Sequence, residues 1–370
     1  MLFYVFLLLV SKITFNNKQS PFFRALKTKV DLYFSSRGLS TSGTTRLLRK
    51  GIYLIASAIT LYTVLVFFTP PVVLSVGLCA LLGINLAALG FNVMHEGGHQ
   101  SFSRHKWLNR VSAYLLNGLG GNSYFWKVKH NINHHTFTNI EGHDADLEVG
   151  PLLRLHANQR HYWFHQFQHV YWVFLYGLSY VAWVFFQDFA KYFSGEISPG
   201  HPYPALSRRE HLIFWTTKMM YVGVYLVLPI LLVGPLKALV GYAIVTFVCG
   251  IFISVVFQLA HVVENTQFLT PGAHAHQVEQ EWAVHQISTT SNFATGNKFI
   301  SWLLGGLNFQ VEHHLFPRIS HVHYPQISQL VRETCREFNI PYLEYPSMGK
   351  AFYSHLQYLQ SMGKPVAAVA

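Results

Sequence analysis

The sequence GIYLIASAITLYTVLVFFTP, residues 51–70, is followed at once by PVVLSVGLCALLGINLAALGF, residues 71–91. Each half carries nearly the ~20 apolar residues that an α-helix needs to cross a bilayer. The Thr69-Pro70-Pro71 break removes two backbone N–H donors, so a helix must end between the halves. This stretch predicts a transmembrane hairpin.

A second pair of apolar runs extends from about Leu212 to Val233 and from about Leu236 to Phe257. Gly234-Pro235 separates them and predicts another turn. Residues 171–186 are also apolar, but they are few and rich in aromatic side chains, which favours an interfacial helix. If they crossed the bilayer, three crossings would put His130 and His313 on opposite sides.

The predicted fold is an all-α integral membrane protein with four transmembrane helices in two hairpins, an interfacial helix and a cytoplasmic helical cap. Basic residues are frequent between Lys12 and Lys50, which predicts a cytoplasmic N-terminus. Four crossings return the C-terminus to the same side. The predicted regions are 1–50 (cytoplasmic N-terminal segment), 51–91 (first hairpin), 92–211 (cytoplasmic and interfacial), 212–257 (second hairpin) and 258–370 (cytoplasmic C-terminal region).

Composition agrees with a membrane protein, since 51% of the 370 residues are hydrophobic and only 12% are charged. The net charge of +11 at pH 7 matches basic cytoplasmic loops better than nucleic-acid binding, so we expect no nucleic-acid partner. Cys79, Cys249 and Cys335 form no spaced pair, which excludes a disulfide framework or a thiolate metal site.

The 22 histidines carry the functional signal. At this frequency roughly one H-x-x-x-H pair arises by chance, so the pairs formed by His161, His165 and His169 are interpreted as an interfacial polar stripe. Two longer patterns are much rarer: HNINHH at 130–135 and QVEHH at 310–314. HEGGH at 95–99 follows the second predicted span. The topology brings all three clusters to one membrane face.

Helix geometry explains the spacings, because residues i and i+4 share a face whereas adjacent residues diverge. Adjacent histidines can therefore serve different metals. Eight imidazoles are more than one tetrahedral zinc can bind, so two transition metals are predicted. Imidazole is a suitable ligand for iron, copper, zinc or nickel. Oxygen chemistry would require a redox metal such as iron. The candidate ligands are His95, His99, His130, His134, His135, His261, Gln310, His313 and His314.

HEGGH, HNINHH and QVEHH resemble the three histidine boxes of membrane fatty acid desaturases. Further similar stretches are His134-His135-Thr136-Phe137-Thr138-Asn139, Glu281-Trp282 with His285-Gln286, and Leu315-Phe316-Pro317. The glutamine of the third box resembles the front-end subgroup, whose members insert a double bond between an existing one and the carboxyl end. The resemblance covers most of the chain.

The resemblance implies an enzyme that introduces a cis double bond into a fatty acyl substrate, an acyl-CoA or an acyl-lipid, with two non-haem irons and O2. It implies metal-ligand roles for the eight histidines and no catalytic residue separate from the metal site. An amide oxygen is a weaker donor than imidazole, so Gln310 is expected to bind loosely or through water. Asp144, Asp146 and Glu312 either orient ligating imidazoles or are ordinary solvated charges.

Front-end enzymes commonly carry a fused cytochrome b5 domain with an His-Pro-Gly-Gly motif, and this sequence contains no such motif. We therefore expect electrons from an external cytochrome b5 or ferredoxin. A bacterial plasma membrane is favoured over the endoplasmic reticulum. Basic residues can attract an acidic donor, although positive-inside bias accounts for most of them: Arg104, Lys106, Arg110, Lys127 and Lys129.

Two alternative functions stay open at this point. HEGGH also fits the H-E-x-x-H motif of zinc metalloproteases, in which the glutamate is the general base. That interpretation uses one cluster and ignores the others. A di-iron lipid hydroxylase or ketolase would use the same three boxes. A transporter is disfavoured because the predicted spans contain no charged pathway.

Overall fold

The computed structural model describes residues 13–18, 20–146, 150–270 and 277–365. The sequence predicts that the short apolar run at residues 1–10 is neither a transmembrane span nor a signal peptide; this run lies outside the described residues.

Helices account for most of the described chain. The α-helices are α1 Pro21–Arg37, α2 Thr45–Thr63, α3 Val72–Leu89, α4 His95–Gly98, α5 Lys106–Gly118, α6 Ser123–Trp126, α7 His135–Phe137, α8 Gln168–Ala182, α9 Asp188–Ser194, α10 Arg208–Val222, α11 Leu228–Val233, α12 Pro235–His261, α13 Trp282–Ser288, α14 Lys298–Leu303, α15 Gln310–Leu315, α16 Tyr324–Glu337 and α17 Met348–Met362.

Wider π-helical turns continue several of these helices without a break. They comprise Val64–Phe68, Gly90–Met94, Lys127–His134, Trp183–Gln187 and Gly223–Val227, while 3₁₀ turns occupy Gly150–Leu152, Trp163–Phe167 and His321–His323. The strands have two or three residues: β1 Thr14–Phe15 pairs with β4 Gln277–Val278, β2 Glu196–Ser198 with β3 His201–Pro202, and β5 Asn292–Phe293 with β6 Glu344–Tyr345.

Five continuous helices within the described residues are long and apolar enough to cross a membrane. The sequence predicted four spans and an interfacial helix, and the fifth candidate is the region assigned to the interface. That region is longer than predicted because 3₁₀, π and α9 turns extend it at both ends. The candidates are Thr45–Phe68, Val72–Gly98, Trp163–Ser194, Arg208–Val233 and Pro235–His261.

Small residues allow α3 and α8 to approach α12 closely. A Cβ on Gly83 of α3 would lie 2.6 Å from the Val245 carbonyl oxygen. A Cβ on Gly250 of α12 would lie 2.6 Å from the carbonyl oxygens of Tyr176 and Gly177 of α8. Such contacts are typical of packed membrane helices, where close backbone approach provides dispersion energy. They fix α12, whose last residue is His261, against both neighbours.

Helices α1, α13, α15 and α16 share a second core and form the cap. Helix α1 buries Phe22, Leu26, Val30 and Phe34, and this apolar stripe packs in one core with α13, α15 and α16. The recurrence of these residues at intervals of four is that of an amphipathic helix. Helix α1 thereby packs in the same core as α15, the helix that carries the third histidine box.

An apolar cavity of about 310 Å³ lies between the candidate spans. Its lining includes Cys79 and Leu86 of α3, Tyr221 of α10 and Tyr242 of α12. Leu86 precedes His95 by nine residues, so the near end of the cavity is about 14 Å along the helix axis from the first histidine.

Candidate metal centre

The first box begins where α3 passes through a π-helical turn into the short helix α4. Its two glycines permit contacts that a side chain would prevent. A Cβ on Gly97 would lie 2.5 Å from Ser112 of α5, and one on Gly98 would lie 2.2 Å from the indole of Trp126. The two glycines of HEGGH therefore allow α5 and Trp126 to pack in direct contact with the first box.

The second box lies on a π-helix, Lys127–His134, rather than on the α-helix assumed from its spacing. A π-turn is wider than an α-turn and recurs at functional sites. It brings His130 and His135 together, with their Nε2 atoms 3.3 Å apart. His134 points to the other side of the cluster.

Seven of the candidate histidines form two groups whose ligand atoms lie within 4.8 Å of one another. Adjacent His313 and His314 belong to different groups; His130 and His134 are likewise divided between these two, although a third group joins both of them to Asp146. The first histidine group is His95, His99, His130 and His313; the second histidine group is His134, His261 and His314.

In the second histidine group every ring is held by a hydrogen bond at Nδ1. His134 Nδ1 lies 3.1 Å from Asp144 Oδ2, His261 Nδ1 lies 3.2 Å from the Thr289 carbonyl oxygen, and His314 Nδ1 lies 2.8 Å from Gln286 Oε1. These acceptors require the Nδ1–H tautomer, so each Nε2 presents a lone pair to the interior. This is the usual outer-shell arrangement of metal-binding histidines.

The first histidine group has fewer such anchors. His313 Nδ1 lies 3.2 Å from the Tyr324 hydroxyl, and His130 Nδ1 lies 4.0 Å from Asp146. The indole of Trp126 instead stacks on His130 with ring centroids 4.7 Å apart, and it meets the rings of His95 and His99 edge-on at 5.7 Å.

Several buried ring nitrogens have no hydrogen-bond partner among the described residues. Within the histidine cluster they are His99 Nε2, His134 Nε2, His135 Nδ1, His313 Nε2 and His314 Nε2; outside it, one ring nitrogen each of His143, His156, His169, His285 and His323 also lacks a partner. A buried polar atom without a partner is costly, and a cation bound at these lone pairs would remove that cost. The donor set, all imidazole at its centre, suits a transition metal.

His135 belongs to neither group and lies between them. Its ring centroid is 4.6 Å from that of His313 and 4.4 Å from that of His314. Residue 135 can therefore serve either group or bridge both.

Burial and charge treat the two groups differently. Desolvation, reinforced by neighbouring imidazoles, holds the pKa of His99 and of His313 well below the usual value. Burial also opposes charge on His134, but Asp144 and Asp146 outweigh it and raise its pKa. Desolvation also holds the pKa of His314 well below the usual value, so a difference in pH range between the two groups rests on His134.

The three acidic side chains singled out from the sequence have protein partners: Asp144 and Glu312 are buried, and Asp146 is partly exposed. Asp144 accepts from His134 and from the backbone N–H groups of Asn139 and Asp146. Asp146 forms an ion pair with Lys129 and lies 3.7 Å from His134 Nδ1. Asp146 also forms a group with His130 and His134, but its pairing with Lys129 favours an orienting role.

Glu312 and Gln310 contact other parts of the protein. Glu312 accepts hydrogen bonds from the Asn292 amide at 2.7 Å and the Tyr342 hydroxyl at 2.8 Å, which fixes the helix α15. The amide nitrogen of Gln310 donates to the Leu307 carbonyl oxygen at 2.8 Å. Only the amide oxygen of Gln310 remains available as a donor to a metal.

The glutamate of HEGGH does not fit the role of a protease base. Glu96 accepts from the backbone N–H and the ring of His321, at 2.9 and 2.8 Å, and from the Ser101 hydroxyl at 3.0 Å. Glu96 is buried, and both of its carboxylate oxygens already accept hydrogen bonds from His321 and Ser101. The zinc metalloprotease alternative therefore lacks its general base.

His161 and His165 also bind protein groups: their Nε2 atoms lie 2.9 Å from the Gly363 and 2.8 Å from the Pro151 carbonyl oxygens. Neither they nor His169 belong to a metal-sized group of the described residues.

Sequence reasoning missed Trp126 and Tyr324, and it quoted Gln286 without a role. Trp126 precedes His130 by four residues, the signal that could have found it; the others have no local signal.

Comparisons with known proteins show the family to which the chain belongs. Residues 71–346 match the family described as fatty acid desaturase. The chain is 34% identical to an sn-1 linoleoyl-lipid 6-desaturase of Synechocystis sp. over 97% of this chain and 99% of that protein. It is 33% identical to the enzyme of the same name of Arthrospira platensis, covering 95% of each.

An acyl-lipid (8-3)-desaturase of Physcomitrium patens is 31% identical over 94% of this chain and 72% of that protein. The protein described here is a membrane enzyme, an oxidoreductase, and the chain belongs to the fatty acid desaturase family.

Proposed function

We propose that the two histidine groups each hold one iron ion, with His135 between them, and that Gln310 contributes at most through water. The unpartnered Nε2 atoms that face inward in both groups carry this proposal. When bound, such an iron pair activates O2 for removal of two hydrogens from an acyl chain. The protein's part is to hold neutral imidazoles in place and to keep the site dry.

We infer four crossings rather than five. Both ends of the helix Trp163–Ser194 contact the side of the histidine boxes: Gln168 Nε2 donates to the Leu359 carbonyl oxygen of α17, and Asp188 pairs with Lys218, which also donates to Gly120. An interfacial position of this helix fits these contacts. Both termini are then cytoplasmic, and a bacterial plasma membrane stays our proposal for the location.

We propose an acyl-lipid substrate, as named for the relatives, and front-end placement of the new cis double bond. The apolar cavity between the spans offers room for the methyl end of the chain. The half-buried indole of Trp126 beside three imidazoles is a suitable wall for the reacting methylenes. Electrons come from an external cytochrome b5 or ferredoxin.

Fatty acid profiles of a host expressing the wild type and a His134→Ala variant test this function, together with iron analysis of both proteins. We expect a new unsaturated species and two irons per chain only with the wild type. His161→Ala is the matched control and should behave as the wild type. A hydroxylated product, or wild-type lipid unchanged with iron bound, would refute the proposal.

A further inference from the structure

Trp282 connects the cap surface to the centre of the histidine cluster. Its indole N–H donates to the His135 carbonyl oxygen at 3.2 Å. The ring of His135 in turn lies beside both histidine groups, with its Nε2 atom 3.3 Å from His130 Nε2. Trp282 is half-buried, so one hydrogen bond and one residue separate a surface-accessible ring from the proposed metal pair.

Other aromatic rings and cations surround this indole. Phe23 of α1 meets it edge-on at 5.6 Å and stacks on Phe316, which follows the third box, at 5.9 Å. All three rings are partly exposed. The aromatic patch is defined as Phe23, Trp282 and Phe316.

Exposed basic residues lie close to each member of the aromatic patch along the chain or through one hydrogen bond, and the carboxylate of Glu281 accepts from the Phe23 backbone N–H at 2.8 Å. Lys18 follows Asn17, whose side chain accepts from the Trp282 backbone N–H at 3.1 Å. Arg24 follows Phe23, and Arg318 lies two residues after Phe316; all three cations are exposed. An apolar centre with a basic rim is complementary to a small acidic protein.

We propose that the aromatic patch is the docking surface for an acidic one-electron carrier protein and that Trp282 is the point of electron entry. The inference rests on the proposed di-iron function. Each turnover takes two hydrogens from the acyl chain, two electrons from two carriers and two protons from water, and reduces one O2 to two waters. The indole is the path of the electrons and undergoes no net change.

The test compares full-length, iron-loaded wild type with a Trp282→Phe variant, which keeps the ring but loses the N–H donor. The measured quantities are the rate at which a reduced acidic ferredoxin, or in a second arm reduced cytochrome b5, is oxidised, and the rate of reduction by reduced methyl viologen. We expect loss of most of the rate with either protein carrier, with iron content and the methyl viologen rate unchanged. Trp107→Phe, at a tryptophan that is 63% exposed on α5, is the control and should change neither rate.

A second variant tests the surface without touching the cluster. Arg24→Glu should raise the carrier's KM about tenfold at low salt and less at high salt, because steering between exposed charges is screened. Arg37→Glu, about 20 Å further along the same helix, is the matched control.

The inference is overturned if Trp282→Phe slows both reductants equally or loses iron, since Trp282 would then only position His135. Unchanged carrier rates in Trp282→Phe, or equal effects of Arg24→Glu and Arg37→Glu, would also overturn it. A wild-type protein that binds no iron would instead refute the proposed function.

Discussion

The two histidine groups, each proposed to hold one metal ion, are fixed by different means. The second histidine group is fully buried, and each ring is anchored through Nδ1 to a carboxylate, a carbonyl or an amide oxygen. In the first histidine group, His95 and His130 are partly exposed and pack against Trp126. One site is fixed by hydrogen bonds, and the other mainly by packing.

This difference teaches that sequence spacing alone does not define equivalent sites. Hydrogen bonds to Nδ1 fix tautomer and orientation, so the second histidine group is preorganised before a metal binds. Packing fixes the position of an imidazole ring but restricts the rotation of that ring less than a hydrogen bond does. We expect the first histidine group to be the side open to the acyl chain, because its neighbour Trp126 is half-buried.

The largest expected effect comes from removing one ligand of each group. His134→Ala and His95→Ala should both abolish the unsaturated product, since each leaves an incomplete metal pair. His95→Ala should retain one iron, bound in the preorganised second histidine group. Metal analysis of purified protein checks this, and loss of both irons in His95→Ala would contradict the asymmetry.

Asp144→Asn tests the anchor of the second histidine group with little change in volume. We expect the iron affinity of the second histidine group to fall about 10–100-fold, as it does when other hydrogen-bond partners of metal-bound histidines are replaced. The first histidine group should keep its iron. Competition with a chelator measures both affinities, and Glu141→Gln, at a nearby side chain without a histidine-cluster contact, is the control.

The two groups should also differ in pH dependence. Metal must displace a proton from a charged imidazole, and the pKa of His134 is raised whereas those of His99 and His313 are lowered. As the pH falls below the pKa of His134, the affinity of the second histidine group should fall about tenfold per unit. Chelator titrations between pH 5 and 8 test this; parallel curves for both irons would contradict it.

Gly98→Ala perturbs the packing that holds the first histidine group. Its Cβ would lie 2.2 Å from the indole of Trp126, so the ring must move away from three imidazoles. We expect an activity loss of about tenfold with iron in the second histidine group unaffected. Gly118→Ala, which has open space around its Cβ position, is the matched control.

The smallest effect is expected for Gln310→Ala. Its amide nitrogen binds the Leu307 carbonyl oxygen, and an amide oxygen is a weak donor to iron. Iron content should stay unchanged and activity should fall by about twofold or less. A loss as large as that of His313→Ala would mean that Gln310 is a direct ligand.

Much of the architecture was predictable because length and hydropathy alone identify bilayer-spanning helices. The hairpin breaks at Thr69-Pro70-Pro71 and Gly234-Pro235 coincide with helix ends in the structure. Hydropathy alone does not give the number of crossings, since the helix Trp163–Ser194 is apolar enough to span. Our proposal of an interfacial position rests on the contacts at its two ends.

The histidines themselves were readable as local patterns, and the structure brings all eight into one cluster. Helix geometry predicted that adjacent His313 and His314 diverge, as the structure has them. The division of His130 and His134 was not readable, because the π-helix at 127–134 replaces the assumed α-helical spacing. The anchors were unpredictable for a similar reason. Gln286, Thr289 and Tyr324 are distant in sequence from the rings they contact.

The sequence by itself therefore determined a helical membrane protein, the family and the identity of the imidazoles, because those depend on composition and short-range spacing. Only the tertiary structure decided which ring nitrogen faces inward, which group is anchored and which tryptophan reaches the surface. These properties depend on contacts between segments as far apart as His135 and Trp282, and long-range packing leaves no periodic trace in the chain.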